Sequence, residues 1–256
     1  MSQVFSLDNP FVRFMSKVAD VFVLNLVWLI FSLPIVTMGA STTAACYVGM
    51  RLARGDEGYV FKRFWKSFKL NFKQATIIYL IQLVIGAVLA ADLYIWVKMP
   101  GQVATVMTIV TTVLIVIYAS ISLYTYGVLA RFENTILGTV KNAALLAVAN
   151  FPFVIIMLAI FAIYVALNFM AAIFTMLTVF IGFGFLFYTY GVLYNISFRK
   201  FVPLYDRVEN DDEEFIKKMQ EEAKAEERAK ELEAQKEKAE ENAKEQDAQS
   251  DNAEEK

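Results

Sequence analysis

Long runs without charge set the rhythm of the chain. Residues 21–50, 99–130 and 142–198 contain no Asp, Glu, Lys or Arg, and residues 74–97 hold only Asp92. A bilayer core of about 30 Å takes roughly 20 apolar helical residues, so these runs predict membrane crossings rather than a soluble core. The 57 residues of the last run would reach roughly 86 Å as one helix. That is too long for one crossing and fits two, with a turn placed near Asn168. The predicted helices are 75–97, 104–130, 143–167 and 170–197.

The 30 residues of the first run exceed one span and fall short of two, and Pro34 interrupts them. Proline removes a backbone donor and breaks or kinks a helix. Either one kinked helix crosses and residues 40–54 lie at the interface, or two short helices turn at Pro34 to Gly39. Charge favours the second arrangement. The segment 51–73 carries Arg51, Arg54, Lys62, Arg63, Lys66, Lys69 and Lys73, so the positive-inside rule assigns it to the cytoplasm. A first hairpin then brings 13 of the 14 basic residues of 1–205 to that side, with Lys98 outside. The expected fold is an all-α polytopic membrane bundle of six helices in three hairpins, with both termini cytoplasmic. Five spans result if one kinked helix crosses instead, and a re-entrant first pair is the other alternative.

Internal repetition agrees with hairpins. Tyr124-Thr125-Tyr126-Gly127-Val128-Leu129 recurs as Tyr188-Thr189-Tyr190-Gly191-Val192-Leu193. Lys73-Gln74-Ala75 opens one hairpin as Lys141-Asn142-Ala143 opens the next, and Gln82 then matches Asn150. Tyr47 with Leu52-Ala53-Arg54 has the spacing of Tyr124 with Leu129-Ala130-Arg131, which extends the pattern weakly to the first pair. Such parallel repetition is a known way of building membrane bundles.

Net charge divides the chain in two. Residues 1–205 carry +8, whereas residues 206–256 carry −10 and are dense in Ala, Glu and Lys. We read a transmembrane domain, 1–205, followed by an acidic cytoplasmic tail, 206–256. The tail has Glu/Lys pairs four apart but no heptad seam, so a solvated helix or disorder is expected there. The chain has no histidine and one cysteine, Cys46. Histidine general bases, Ser-His or Cys-His nucleophiles and His/Cys metal sites are therefore excluded. Neither an enzyme nor a bound cofactor is expected, and Cys46 reads as a packing residue.

Three groups of residues remain as candidates. Phe61, Phe64, Trp65, Phe68 and Phe72 follow helical spacing beside Lys62, Lys66, Lys69 and Lys73, which predicts an interfacial amphipathic helix over 60–73. Its occupant is the anionic lipid of the inner leaflet or an acidic partner protein; nucleic acid is not expected, because the membrane already satisfies these basic residues. Pro34, Gly39 and Ser41 mark a helix break, with Ser41 a plausible N-cap. The small residues there allow close helix approach, or else an unwound segment presents its backbone to a polar solute. Asn25, Gln82, Asp92 and Asn150 are the intramembrane polar candidates, since such groups are costly in hydrocarbon. The amides of Asn25, Gln82, Asn150 and Asn195 fit interhelical hydrogen bonds, and with Tyr124, Tyr126, Tyr188 and Tyr190 they could also line a polar path.

Several motifs carry a family resemblance: Asp20, Asn25, Leu33-Pro34-Ile35-Val36-Thr37, Gly39-Ala40-Ser41-Thr42-Thr43-Ala44, Arg54-Gly55-Asp56-Glu57-Gly58 and Phe72-Lys73-Gln74-Ala75-Thr76. Together they resemble the YesL family of bacterial integral membrane proteins, a domain-of-unknown-function group, over roughly residues 8–205. The resemblance implies a multi-pass protein of a Gram-positive-type bacterial plasma membrane. It also implies encoding beside carbohydrate uptake and degradation systems, and so an accessory or regulatory role toward a carbohydrate ABC transporter subunit. A small transporter with its own polar path is the alternative.

Overall fold

The computed structural model describes residues 10–56, 58–170 and 172–199. The boundary expected at 205/206 and the acidic tail lie outside the described residues. Among the described residues every regular element is helical. In chain order these are α1 (Pro10–Ser32), a 3-10 turn (Ile35–Thr37), α2 (Met38–Ala53), α3 (Val60–Lys98), α4 (Gln102–Arg131), α5 (Ile136–Ala149), α6 (Phe151–Met170), α7 (Ala172–Leu177), a π-helical segment (Thr178–Gly182) and α8 (Phe183–Phe198). Five of the described helical stretches are long and apolar enough to cross a membrane: Phe14–Ser32, Val60–Lys98, Gln102–Arg131, Phe151–Met170 and Ile173–Phe198.

The first hairpin forms, but its return arm is short. Pro34 stands in extended backbone, and Thr37 closes the break by donating its hydroxyl to the carbonyl of Phe31 at 2.6 Å. From there α2 runs back along α1: Ser32 Oγ donates to Ser41 Oγ, and Ser41 Oγ to the Trp28 carbonyl. Its 16 residues reach about 24 Å, short of a bilayer core. The helix begins at Met38, so Gly39 and Ser41 lie inside it. Ser41 is a link to α1 and not the N-cap, and no unwound segment follows the proline. Small side chains let α2 sink into the middle of the bundle, where Ala40, Ala44, Ala45, Val48 and Leu52 are buried against α3, α4 and α8.

Two further expectations change. The segment 60–73 is no separate interfacial helix; it is the first third of α3, which continues unbroken for 39 residues. Nothing between Val60 and Lys98 stops it, because the stretch has no proline and one glycine, Gly86. The helix expected over 143–167 is two helices. Pro152 cannot donate to the turn before it, and the break centres on Asn150, whose side chain donates to the Leu146 carbonyl and whose carbonyl accepts from Phe153 N–H at 2.9 Å. α5 starts on a sequence-legible cap, Thr135, whose hydroxyl accepts from Gly138 N–H. α6 ends at Met170 and α7 begins at Ala172, with Asn168 in the last turn of α6.

The core gathers Leu24, Phe64, Ile78, Tyr124, Met157, Tyr194 and Phe198. Away from it, the far ends of α3 and α4 expose Val84, Val88, Val103 and Ile109, and α6 exposes Phe169. Apolar surface on that scale is unsuited to water and suited to lipid.

Candidate functional site

The most elaborately built region is the end of the bundle where α2 gives way to α3. Gly55 and Gly58 both adopt positive φ, +90° and +81°, a region open to glycine at no steric cost. These two residues fold the connection tightly enough that Asp56 reaches back to Arg51, with Nη1 to Oδ2 at 3.3 Å. The Asp56 carbonyl accepts from Arg63 Nη1 at 2.6 Å. Both arginines are more than nine-tenths buried, and buried guanidinium groups demand such partners. Asp20, placed by the sequence at the start of the apolar run of α1, accepts from Gly58 N–H at 2.9 Å and ties α1 to the same connection.

Beside this loop three helices meet on one side chain. Asn195 Oδ1 accepts from Arg54 Nε at 3.1 Å and from Arg131 Nη1 at 3.0 Å, while Asn195 Nδ2 donates to the Met50 carbonyl at 2.8 Å. Arg54, Arg131 and Asn195 each follow a repeat tyrosine (Tyr47, Tyr124, Tyr188) by seven positions. The weak third copy of the repeat thus has a physical meaning: equivalent positions of α2, α4 and α8 converge.

The repeated hexapeptide does two jobs in each copy. Its second tyrosine binds the preceding helix of its own hairpin: Tyr126 hydroxyl donates to Gln82 Oε1 at 2.6 Å, and Tyr190 hydroxyl to the Met157 carbonyl at 2.9 Å. Its glycine opens a close approach, Gly127 to the ring of Tyr194 and Gly191 to the backbone of Gly49. Asn150, matched to Gln82 by sequence, takes no part, because it is occupied at the α5/α6 break.

The basic-aromatic segment divides between core and surface. Phe64 and Phe68 are buried around Phe31, with ring centroids 5.5 and 5.2 Å from it. Phe61, Trp65 and Phe72 remain exposed. Lys69 Nζ lies 5.4 Å from the centroid of Trp65, and Lys62 Nζ 5.7 Å from that of Tyr59. Lys62, Lys69 and Lys73 are exposed and Lys66 half-buried. The exposed part of the face therefore pairs aromatic rings with ammonium groups, and the remainder is packing.

The intramembrane polar residues do not converge. Asn25, fully buried on α1, donates to the Val179 carbonyl at 2.7 Å and accepts from Gly184 N–H at 3.0 Å. Gln82 joins α3 to Tyr118 and Tyr126 of α4. Asp92 accepts from Trp96 Nε1 at 3.0 Å and from Thr111 Oγ1 at 2.6 Å. Each is thus engaged at a separate contact. The functions of Tyr118 and Thr111 escaped sequence reading, although their spacing to Gln82 and Asp92 across an antiparallel hairpin could have found them. The π segment left no sequence signal beyond the pair Gly182 and Gly184.

This architecture, five apolar helices capable of spanning and a hydrogen-bonded bundle behind them, defines a multi-pass helical membrane protein. Residues 21–93 match the family model described as Protein of unknown function, DUF624, and over that segment the chain is similar to this family, as the YesL-type motifs also are. The match covers α2, most of α1 and α3, and the Arg51–Gly58 connection. No curated protein and no solved structure matches the chain.

Proposed function

We propose that this protein is a non-enzymatic accessory or regulatory component of a carbohydrate uptake system in a bacterial plasma membrane, with both termini in the cytoplasm. The carbohydrate link rests on the family resemblance, and the orientation rests on the distribution of basic residues. The observation that favours an accessory over an autonomous transporter is the dispersal of polar side chains. Asn25, Gln82, Asp92 and Asn150 are each committed to a local or interhelical bond at a different place. A solute path needs such groups to face a common space. An intramembrane enzyme would need convergent titratable groups, whereas Asp20 and Asp92 are bound at different contacts. The exposed face of Phe61, Lys62, Trp65, Lys69, Phe72 and Lys73 is the surface offered for contact, with anionic headgroups of the inner leaflet and a transporter subunit as its partners.

Affinity purification of the full chain from its native membrane in mild detergent, followed by mass spectrometry, tests this reading. A stoichiometric permease or ATPase subunit is the expected result. A chain that purifies alone and moves sugars when reconstituted by itself into liposomes would replace the accessory reading with that of a small transporter.

A further inference from the structure

The last membrane helix contains a fault. Between α7 and α8, residues Thr178–Gly182 are wound as a π-helix, a register that accommodates one extra residue within an α-helix and leaves backbone groups out of the regular ladder. Asn25 of α1 fills that gap. Its amide bridges the fault, giving a hydrogen bond to the Val179 carbonyl within the segment and taking one from Gly184 N–H just beyond it. Gly184 makes this reachable, since a Cβ there would meet the Val21 carbonyl and the Asn25 backbone.

The two sides of the fault are held differently. On the C-terminal side, α8 is pinned by Gly191 against Gly49, by Tyr190 to Met157 of α6, by the Tyr194 hydroxyl to the Leu123 carbonyl, and by Asn195 to the ends of α2 and α4. On the other side, α7 packs on α6 and on the π segment. Ile173, Met176 and Leu177 of α7 and Ile163, Phe169 and Met170 of α6 are exposed. A rigid base, which includes α6 through Met157, therefore carries a short limb, α7, attached through the π segment.

We infer that the π segment is a hinge and Asn25 its clip. With the clip in place the extra residue is held in the π register. With the clip released the segment winds into the α register, and the α7 limb turns against the base. One residue of register is about 100° of rotation and 1.5 Å of rise, which carries a side chain at a radius of about 5 Å through roughly 8 Å. This inference does not depend on the accessory reading above, and its readout is a distance.

The experiment uses full-length protein in nanodiscs, with nitroxides on cysteine pairs and the buried Cys46 left in place. The pair Val106→Cys with Met176→Cys spans α4 and the limb; the pair Val106→Cys with Ile196→Cys spans α4 and the base. Asn25→Leu should enlarge a second population in the limb pair by about tenfold, since it removes two hydrogen bonds, while leaving the base pair unchanged. Deleting Phe180 removes the extra residue, so Asn25→Leu should then have no effect on the limb pair. An unchanged limb pair in Asn25→Leu, or equal shifts in both pairs, overturns the inference. If Asn25→Leu does not fold, Asn25→Asp is judged by the same criterion, because it keeps the acceptor for Gly184 and loses the donor to Val179.

Discussion

Replacing Gly191 with alanine adds one methyl group at a backbone-to-backbone approach, the crossing of α2 and α8. A Cβ there would stand 2.6 Å from Met50 N and closer still to the Gly49 carbonyl, whereas ordinary contact begins near 3.4 Å. The obstructing atoms are backbone, so no rotamer change relieves them, and the helices must part by about 1 Å. Overpacking of that kind costs about 1–3 kcal/mol. The same displacement stretches the 2.8 Å bond from Asn195 to the Met50 carbonyl beyond useful length, adding about 1 kcal/mol. The expected loss is about 2–4 kcal/mol. At roughly 2–4 °C per kcal/mol for a chain of this size, the melting temperature in mild detergent should fall by roughly 4–16 °C, read from tryptophan emission. Gly127→Ala is the comparison, because its added methyl meets the Tyr194 ring at 2.8 Å, where the obstacle is a side chain and not backbone. A Gly191→Ala protein that melts like the wild type, or no lower than Gly127→Ala, would refute the reasoning that backbone contact fixes this crossing.

Phe31→Ala should cost about 2–4 kcal/mol in the same melt, below the full range for a buried phenylalanine because Phe31 is half-buried, and it should expose Phe64 and Phe68 to quenchers. Gln82→Leu and Tyr126→Phe should each cost about 1 kcal/mol, and the double variant should cost clearly less than their sum, because both remove one 2.6 Å bond. In intact cells an impermeant thiol reagent should label Gly101→Cys and should reach Lys69→Cys only after permeabilisation; labelling of Lys69→Cys in intact cells would reverse the proposed orientation.

Much of this bundle is legible in the sequence because lipid imposes long apolar stretches, and the repeated Tyr-Thr-Tyr-Gly motif announces two related hairpins. The first hairpin was legible through Pro34, since a missing donor has one local consequence. The beginning of α2 was not: glycine and serine suggest a boundary, but here burial among α3, α4 and α8 overrides that preference and keeps Gly39 and Ser41 helical. The amphipathic period of 61–73 was read correctly as a helix and wrongly as a separate one, because periodicity reports a face and says nothing about where a helix ends. Half of its aromatic face belongs to the core for a reason visible only in three dimensions, namely that Phe31 arrives there from another helix. The Arg54–Asn195–Arg131 meeting point was hidden for a different cause. The copy at Tyr188 has asparagine, Asn195, where the copies at Tyr47 and Tyr124 have arginine, and that departure is what lets one amide oxygen serve two guanidinium groups.

The unbroken run of α3 has a mechanical consequence. At 39 residues it is about 58 Å long, and even at the steepest common tilt, about 40°, it projects about 45 Å along the membrane normal. Some 15 Å must therefore emerge from a core of about 30 Å. The emergent end bears Phe61, Lys62 and Trp65, the far end bears Asp92 and Trp96, and no proline lies between them. α3 is thus a single rod without an internal break, so its exposed aromatic end and the α3–α4 tip keep one fixed spacing along a common axis.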